Sequence, residues 1–279
     1  MFGSSRLQRW VRSGVLAIGL AVAGTGLAQS PAPDDWPEGG TEVDVALVLA
    51  VDVSYSMDLE ELALQRDGYI AALNSPVVLD AIRRGMIGRI GVTYIEWAGV
   101  GTRNVVADWT IIEDAASARA FTDRLQNAPV QRARRTSIAG AINFSMERLL
   151  AAKLRPIRRV IDISGDGPNN EGGPVTIARD RALRAGVIIN GLPIQLKRGY
   201  FSAFDINALD EYYADCVIGG PGSFMNVITE RDQFREAIRL KILREVAQSS
   251  QSDAGGPGQP GRSNCMIGEQ QWRQNWDRN

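Results

Sequence analysis

The amino-acid sequence predicts an α/β fold: a doubly wound, mostly parallel central sheet flanked by helices on both faces, in three layers. Two observations lead to this prediction. Strand-like and helix-like segments alternate from residue 43 to residue 247, as they do where helices connect parallel strands. Segments 43–52 and 158–166 are near-continuous apolar runs, which are typical of strands buried on both faces.

Each element of the first half follows from its own residue pattern. Helical spacing relates Leu59, Leu62 and Leu73, and acidic residues stand at the N-terminal end of that segment, where the helix dipole favours them. Short apolar runs mark the strands. The expected elements are strand 43–52, helix 58–74, strands 89–99 and 104–112, and helix 114–127.

The second half continues the alternation. Pro174 and Gly186 stand near the start and just past the end of one helix, in the positions where these residues are favoured. The expected elements are helix 137–153, strand 158–166, helix 173–186, strand 187–195, a short helix at 205–216, a short strand at 224–229 and a closing helix at 230–247. Ligands of such sheets bind outside the carboxyl ends of the strands, at a topological switch point, so those ends are the places to search.

The first 28 residues have the features of a signal peptide. A basic segment with three arginines precedes an apolar run at 14–24, and the small residues Gly26 and Ala28 stand before the expected cleavage site. The alternative is an uncleaved membrane anchor, although the apolar run is short for a bilayer. We expect an exported protein, periplasmic or secreted, with no transmembrane segment after cleavage.

Composition divides the remaining chain into four parts. Residues 29–42 are rich in proline, glycine and acids and form a flexible lead-in, and 43–248 form the α/β domain. Residues 249–264 are a low-complexity linker. Residues 265–279 regain apolar and aromatic residues, which predicts a C-terminal clip docked on the domain; a flexible end is the alternative.

The chain has two cysteines, Cys216 and Cys265. An even number of cysteines in an exported protein favours one disulfide, which would tie the clip to the domain and stabilise it by about 4 kcal/mol through loop entropy. Two free thiols are the alternative.

Composition also excludes several classes of function. The sequence has no histidine, so it forms neither a Ser-His-Asp nor a Cys-His catalytic arrangement and no histidine-ligated zinc site. The formal net charge is −1, which gives no indication of a nucleic-acid partner.

Oxygen-bearing side chains follow the two buried strands. Asp52, Ser54 and Ser56 end strand 43–52 at alternate positions, Thr136 precedes helix 137–153, and Asp166 follows strand 158–166. Taken singly, Thr136 is typical of a helix N-cap and Asp166 of a turn. The triplet is a stronger signal, because three polar groups at the edge of a sheet need partners.

Together these residues resemble the metal-ion-dependent adhesion site of von Willebrand factor type A (VWA) domains, which integrin I domains also contain. The resemblance covers residues 42 to 247 and rests on the segment DVSYS, on Thr136 with Ala141, and on the segment GDG. More narrowly, the segments VIDISGDGPNN and YYADCVIGGPG, with the signal peptide, are similar to a family of exported bacterial VWA-like proteins whose function is unassigned.

The resemblance implies a metal site with Ser54, Ser56 and Thr136 as direct ligands. Asp52 and Asp166 would bind the ion directly or through water. Hydroxyls and carboxylates are hard donors that suit Mg²⁺ or Mn²⁺. The remaining coordination position would take an acidic side chain of a protein partner, so we expect a non-enzymatic binding module.

Neighbouring residues are candidates for the rim of this site. Asn169 and Asn170 follow Asp166, and Arg135 belongs to a basic stretch beside Thr136. The alternatives are a plain turn for the asparagines and a solvated loop for the arginine. Inside the strands, Asp162 and Glu96 are expected to form buried pairs with arginines; the alternative is that they support the ligands of the metal site.

Two other functions compete with the binding module. A metal-dependent hydrolase or phosphatase would use Asp52 as its nucleophile, but such enzymes of the halo-acid type place a second aspartate where this chain has Ser54. The third hypothesis is a fold that retains the motif for structural reasons, without metal. The sequence identifies neither the partner nor the oligomeric state.

Overall fold

The structure is a computed structural model that describes Trp36 and residues 39–196, 206–247 and 263–276. The expected signal peptide at 1–28 and most of the expected lead-in and linker lie outside these residues. Within the part that is described, no helix is long and apolar enough to cross a membrane.

A five-stranded sheet forms the centre of the domain. Its strands are β1 (Thr41–Asp52), β2 (Ile90–Trp97), β3 (Arg103–Ile112), β4 (Leu154–Gly165) and β5 (Val187–Pro193). Their order is β3-β2-β1-β4-β5, and all neighbours pair in parallel except β2 and β3, which are antiparallel. Residues 43–52 of β1 are all buried, as expected for the central strand of a sheet covered on both faces.

Helices cover both faces of the sheet. They are α1 (Leu59–Leu73), α2 (Pro76–Arg83), α3 (Ala115–Asn127), α4 (Ile138–Ala151), α5 (Val175–Arg184), α6 (Leu209–Tyr212), α7 (Phe234–Ala247) and α8 (Ile267–Trp276). Alternate residues of β1 belong to different cores: Leu47 packs in a core with α1, α2, α3 and α7, whereas Val48 packs in a core with α4, α5 and α6. The predicted three-layer α/β architecture is confirmed.

The structure differs from the sequence prediction at three places. Helix α2 was not predicted, although Pro76 stands at its first turn, where proline is favoured. The predicted strand at 224–229 is wrong: Met225 and Ile228 each form only an isolated bridge to the chain around β5, too little for a continuous ladder. The predicted short helix at 205–216 is the single turn α6, which continues as a π-helical turn, Tyr213–Val217.

The sheet order places a topological switch point between β1 and β4. The chain leaves β1 toward β2 on one side, and β4 pairs with β1 on the other side. Because the two strands are parallel and adjacent, their carboxyl ends meet at the same edge, where open α/β sheets bind ligands. The residues that follow β1 and β4 are therefore neighbours.

Two charged groups inside the sheet have buried partners. Glu96 of β2 pairs with Arg66 of α1, as the sequence predicts. The prediction for Asp162 of β4 is wrong in the identity of the partner, which is Lys241 of α7 at 2.9 Å. The packing of α7 over the sheet decides this pairing, and the sequence pattern does not reveal the facing of that helix.

Candidate metal centre

The carboxyl end of β1 forms the floor of the candidate site. Asp52 is fully buried, and its Oδ1 accepts a hydrogen bond of 2.7 Å from the backbone N–H of Ser54. Backbone hydrogen bonds from Ala133 N to Val53 O and from Tyr55 N to Ala133 O tie this turn to the loop before α4. The turn at residues 53–55 is therefore fixed to the loop before α4 by two backbone hydrogen bonds.

A chain of hydrogen-bonded oxygens connects the ends of β1 and β4. The hydroxyl oxygens of Ser54 and Ser56 lie 2.8 Å apart, and the Ser56 hydroxyl donates to Asp166 Oδ1 over 2.6 Å. Asp166 directly follows Gly165, the last residue of β4. The structure therefore brings together the predicted residues of the two strand ends.

Thr136 is held in the same region by the loop after β4. Its backbone N–H donates to Asn170 Oδ1 over 3.0 Å, and its carbonyl accepts from the backbone N–H of Asn170 over 2.8 Å. The N-cap of α4 is Ser137, whose hydroxyl accepts from Gly140 N. The N-cap interpretation of Thr136 is therefore wrong, and capping does not account for a threonine at this position.

The two asparagines brace the loop before α4. Asn169 is fully buried, and its Oδ1 accepts from the backbone N–H of Ala139 in the first turn of α4 over 2.9 Å. Asn170 holds Thr136 through the pair of hydrogen bonds described above. Both residues thus do more than form a plain turn, because they fix the distance between the Asp166 loop and the Thr136 loop.

The electrostatics of this cluster favour a cation. Burial and the negative charge of Asp166 raise the pKa of Asp52 well above its usual value. Among the described residues, Asp52 Oδ2 is buried without a hydrogen-bond partner. A buried carboxylate oxygen in that condition is costly unless a positive charge compensates it, so the residues fit a divalent ion.

The donor set also indicates which kind of ion fits. Within the described ranges, no group of three or more histidine, cysteine, aspartate or glutamate side chains could hold a metal. A metal at this edge of the sheet would therefore need the hydroxyls of Ser54, Ser56 and Thr136 beside the two carboxylates. Such an all-oxygen set suits Mg²⁺ or Mn²⁺.

A cavity of about 370 Å³ opens above the cluster. Its lining includes the predicted site residues Ser54, Ser56 and Thr136, with Asn170 and Arg135 at the rim. Arg134, from the same basic stretch as Arg135, also lines it, and the remaining lining residues, Tyr55 and Trp272, were not predicted from the sequence. Trp272 belongs to α8, so the C-terminal clip forms part of the wall of this cavity.

Several contacts hold α8 beside the site. The Cys216–Cys265 disulfide joins the segment before α8 to the π-helical turn. Asn169 Nδ2 donates to Glu269 Oε1 over 2.7 Å, and the guanidinium carbon of Arg135 lies 3.2 Å from the centroid of the Trp272 ring. The two cysteines and the tryptophan-rich end were visible in the sequence. Nothing in the sequence indicated that this C-terminal segment lies beside the candidate metal site.

Substitution of Gly268 with alanine should detach α8 from the loop that borders the candidate metal site. A Cβ atom at Gly268 would lie 2.1 Å from the carbonyl oxygen of Asn169, so the helix must move; we expect a loss of about 1–3 kcal/mol. Hydrogen exchange should become faster in 267–276 and stay unchanged in the sheet. The matched control is Gly101→Ala, since a Cβ at Gly101 meets no atom within 4 Å. Equal protection of α8 in both variants would contradict this close contact.

Solved structures of other proteins share this fold. Proximal thread matrix protein 1 from the mussel byssus is 12% identical, with a TM-score of 0.53 over 73% of this chain and 48% of that one. A von Willebrand factor type A protein from Catenulispora acidiphila is 14% identical, with a TM-score of 0.51 over 74% and 43%. The pilus adhesin SpaC from Lactobacillus rhamnosus GG is 14% identical, with a TM-score of 0.51 over 75% and 31%. The chain thus spans less than half the length of each.

The sheet order, the helical layers and these structural matches define a von Willebrand factor type A-like fold, and the resemblance inferred from the sequence is confirmed at the level of the fold. Residues 42–250 match the family described as Protein of unknown function (DUF1194), and the chain belongs to that family. The comparison with curated proteins gives no match.

Proposed function

We propose that this protein is an exported, non-enzymatic binding module that uses Mg²⁺ or Mn²⁺ to engage an acidic group of a protein partner. One observation carries the proposal: five oxygen-bearing side chains from three separate segments converge on the switch point of the sheet. They are Asp52, Ser54, Ser56, Thr136 and Asp166. Among the residues that the structure describes, Asp52 Oδ2 is buried without a hydrogen-bond partner, which favours a bound cation at this cluster.

The roles of the residues follow from their chemistry. The hydroxyls of Ser54, Ser56 and Thr136 would bind the ion directly, and the two carboxylates would bind it directly or through water. The protein would contribute only two negative charges to the ion, since its other ligands are neutral hydroxyls. The bound ion would therefore remain electrophilic enough to bind a carboxylate of a partner. The carboxylate pair would in turn lose its mutual repulsion.

The surroundings of the cluster support an acidic ligand. Arg134 and Arg135 line the cavity above it, and an anion entering there meets positive charge. Two proteins that share the fold are described as a pilus adhesin and a thread matrix protein, and a protein-binding role is in keeping with those descriptions. The signal-peptide pattern and the disulfide support export, because disulfides persist in oxidising compartments.

Titration calorimetry with Mg²⁺ and with Mn²⁺ tests the metal site. We expect the wild type to bind at least one of these ions, and Ser56→Ala to bind it about tenfold or more weakly because a direct ligand is lost. Ser117→Ala is the matched control, since this serine completes the capping box of α3 with Asp114 and lies outside the lining of the cavity. No binding by the wild type, or the same loss in the control, would refute the metal site.

The hydrolase hypothesis makes a different prediction. It requires metal-dependent turnover of phosphoesters that Asp52→Asn abolishes, whereas the binding module turns over none of them. A panel of phosphoester substrates, each with Mg²⁺ and with EDTA, distinguishes the two. Turnover that depends on both the metal and Asp52 would overturn the non-enzymatic proposal.

A further inference from the structure

Helix α8 lies against the rim of the metal site and is fixed there at several points. The disulfide holds its N-terminal end, and the backbone N–H of Ser263 donates to Asp215 Oδ2 over 2.8 Å. Glu269 accepts a hydrogen bond from Asn169, the residue that also braces α4. The helix is thus fastened to the same loop that positions Asp166 and Thr136.

Trp272 of this helix holds an arginine at the mouth of the cavity. The guanidinium of Arg135 stacks on the indole ring, and both residues line the cavity above the hydroxyl cluster. The backbone of Arg135 has a φ of 74°, in the left-handed region that non-glycine residues rarely adopt. Stacking on an aromatic face leaves the edge of a guanidinium free to form paired hydrogen bonds.

The mouth of the cavity carries two arginines, Arg134 and Arg135. In the described part of the chain, no carboxylate forms an ion pair with Arg134 or Arg135. Arg66 and Arg148, by contrast, each pair with a carboxylate. The two rim arginines therefore present positive charge toward the space above the metal cluster.

The cavity is larger than one carboxylate requires. Its volume of about 370 Å³ falls within the range of roughly 300–1,000 Å³ that is typical of clefts for whole small molecules. A ligand that filled only the metal's open position would leave the part of the cavity beside Trp272 and Arg135 without contacts. A ligand with a second group at that end would use the whole cavity.

We propose that α8 is a built-in part of the ligand site and that the site takes a peptide segment with two neighbouring acidic groups. The first carboxylate binds the metal, and the second binds the guanidinium of Arg135. A guanidinium can donate two parallel hydrogen bonds to one carboxylate in a bidentate geometry. Trp272 is a positioning residue, because it acts by holding Arg135. This inference rests on the proposed metal-dependent function and adds to it the class of ligand.

Synthetic heptapeptides of glycine, alanine and serine that contain either one aspartate or two test this inference. Two-aspartate peptides have the pair adjacent or one residue apart. Binding is measured by fluorescence anisotropy to the full, disulfide-bonded chain in saturating Mg²⁺ and in EDTA. We expect two-aspartate peptides to bind the wild type about tenfold or more tightly than one-aspartate peptides in Mg²⁺.

Variants separate the role of the rim from general electrostatics. In Arg135→Gln and in Trp272→Ala, the preference for two aspartates should fall to about threefold or less. Trp272→Phe should restore it, because phenylalanine also offers a face for stacking. Arg184→Gln, which removes an exposed charge on α5, should leave the preference unchanged, as should Gln274→Ala on α8.

The outcomes distinguish this inference from the proposed function. If calorimetry finds no metal binding by the wild type, the proposed function itself fails. If the wild type binds metal but binds both classes of peptide equally, or binds neither, the ligand class proposed here is wrong. An equal loss of preference in Arg184→Gln and Arg135→Gln would also overturn it, since net charge alone would then explain the effect.

Discussion

Replacement of Lys241 with methionine should lower the free energy of unfolding by about 3–5 kcal/mol, the range found when one partner of a buried ion pair is removed. Lys241 is fully buried, and its Nζ lies 2.9 Å from Asp162 Oδ1 and 3.0 Å from Glu245 Oε1. Methionine keeps the length of the side chain and removes the charge. Asp162 would then lose its ion-pair partner inside the domain, and Glu245 would keep the attraction of Arg158.

The decrease in the free energy of unfolding caused by Lys241→Met should depend on pH, because Asp162 titrates in this buried group of Asp162, Lys241 and Glu245. Burial raises the pKa of Asp162 to about 7, against the opposing effect of Lys241. Because this pKa lies above the unfolded value of about 3.9, the folded state binds more protons between about pH 4 and pH 7. The contribution of Asp162 to stability is therefore full below that window and declines as the pH rises through it.

Without Lys241, the effect that lowers the pKa of Asp162 is gone, and the pKa should rise further. Protonation then relieves the buried charge, so the deficit of Lys241→Met should be smaller at pH 5.5 than at pH 8. Urea unfolding at the two pH values measures it. The control is Arg239→Met on the same helix, which removes a solvent-screened pair with Glu236 and should cost far less stability than Lys241→Met. A deficit that grows toward acid pH would contradict the cluster.

The sequence predicts the layers of this fold and the members of the candidate site for a local reason. Segment 43–52 is a near-continuous apolar run, as expected for a strand buried on both faces, and Asp52, Ser54 and Ser56 stand where this strand ends. The placement of Asp166 beside them also follows once β1 and β4 are taken as parallel neighbours, whereas Thr136 entered the predicted site only through the resemblance to the adhesion-type metal site. These features depend on residues close together in sequence and on one topological rule.

Other features depend on contacts that no local pattern encodes. Lys241 lies on a helix whose orientation decides that it meets Asp162, and from the sequence we expected an arginine as the partner instead. Trp272 reaches the cavity of the candidate metal site for two reasons. The disulfide fixes the start of α8, and Gly268 allows this helix to approach Asn169 closely. The sequence showed a docked clip with a disulfide, yet the docking position is a property of the folded surface.

Asp52→Asn should be at least as stable as the wild type without metal, and less stable than the wild type when Mg²⁺ is added. In EDTA, the variant should be as stable as the wild type or up to about 2 kcal/mol more stable, because asparagine removes a buried charge while its Oδ1 can still accept from Ser54 N. At a Mg²⁺ concentration of about 100 times Kd, the wild type should gain about 2.7 kcal/mol by mass action. The variant should gain less than about 0.5 kcal/mol, since its affinity should fall by about 100-fold or more and binding then adds little.

A second aspartate on the same strand supplies the matched control for this crossover. Asp44 is also buried, at the opposite end of β1, where its carboxylate accepts from the backbone N–H groups of Ile87 and Gly88. Asp44→Asn should lose about 1–3 kcal/mol in EDTA and in Mg²⁺ alike, because it weakens a structural contact and leaves the metal gain intact. Urea unfolding of the three proteins in both conditions measures the result. Equal Mg²⁺ gains in all three would separate Asp52 from metal binding and leave the converging hydroxyls as a structural feature of the switch point.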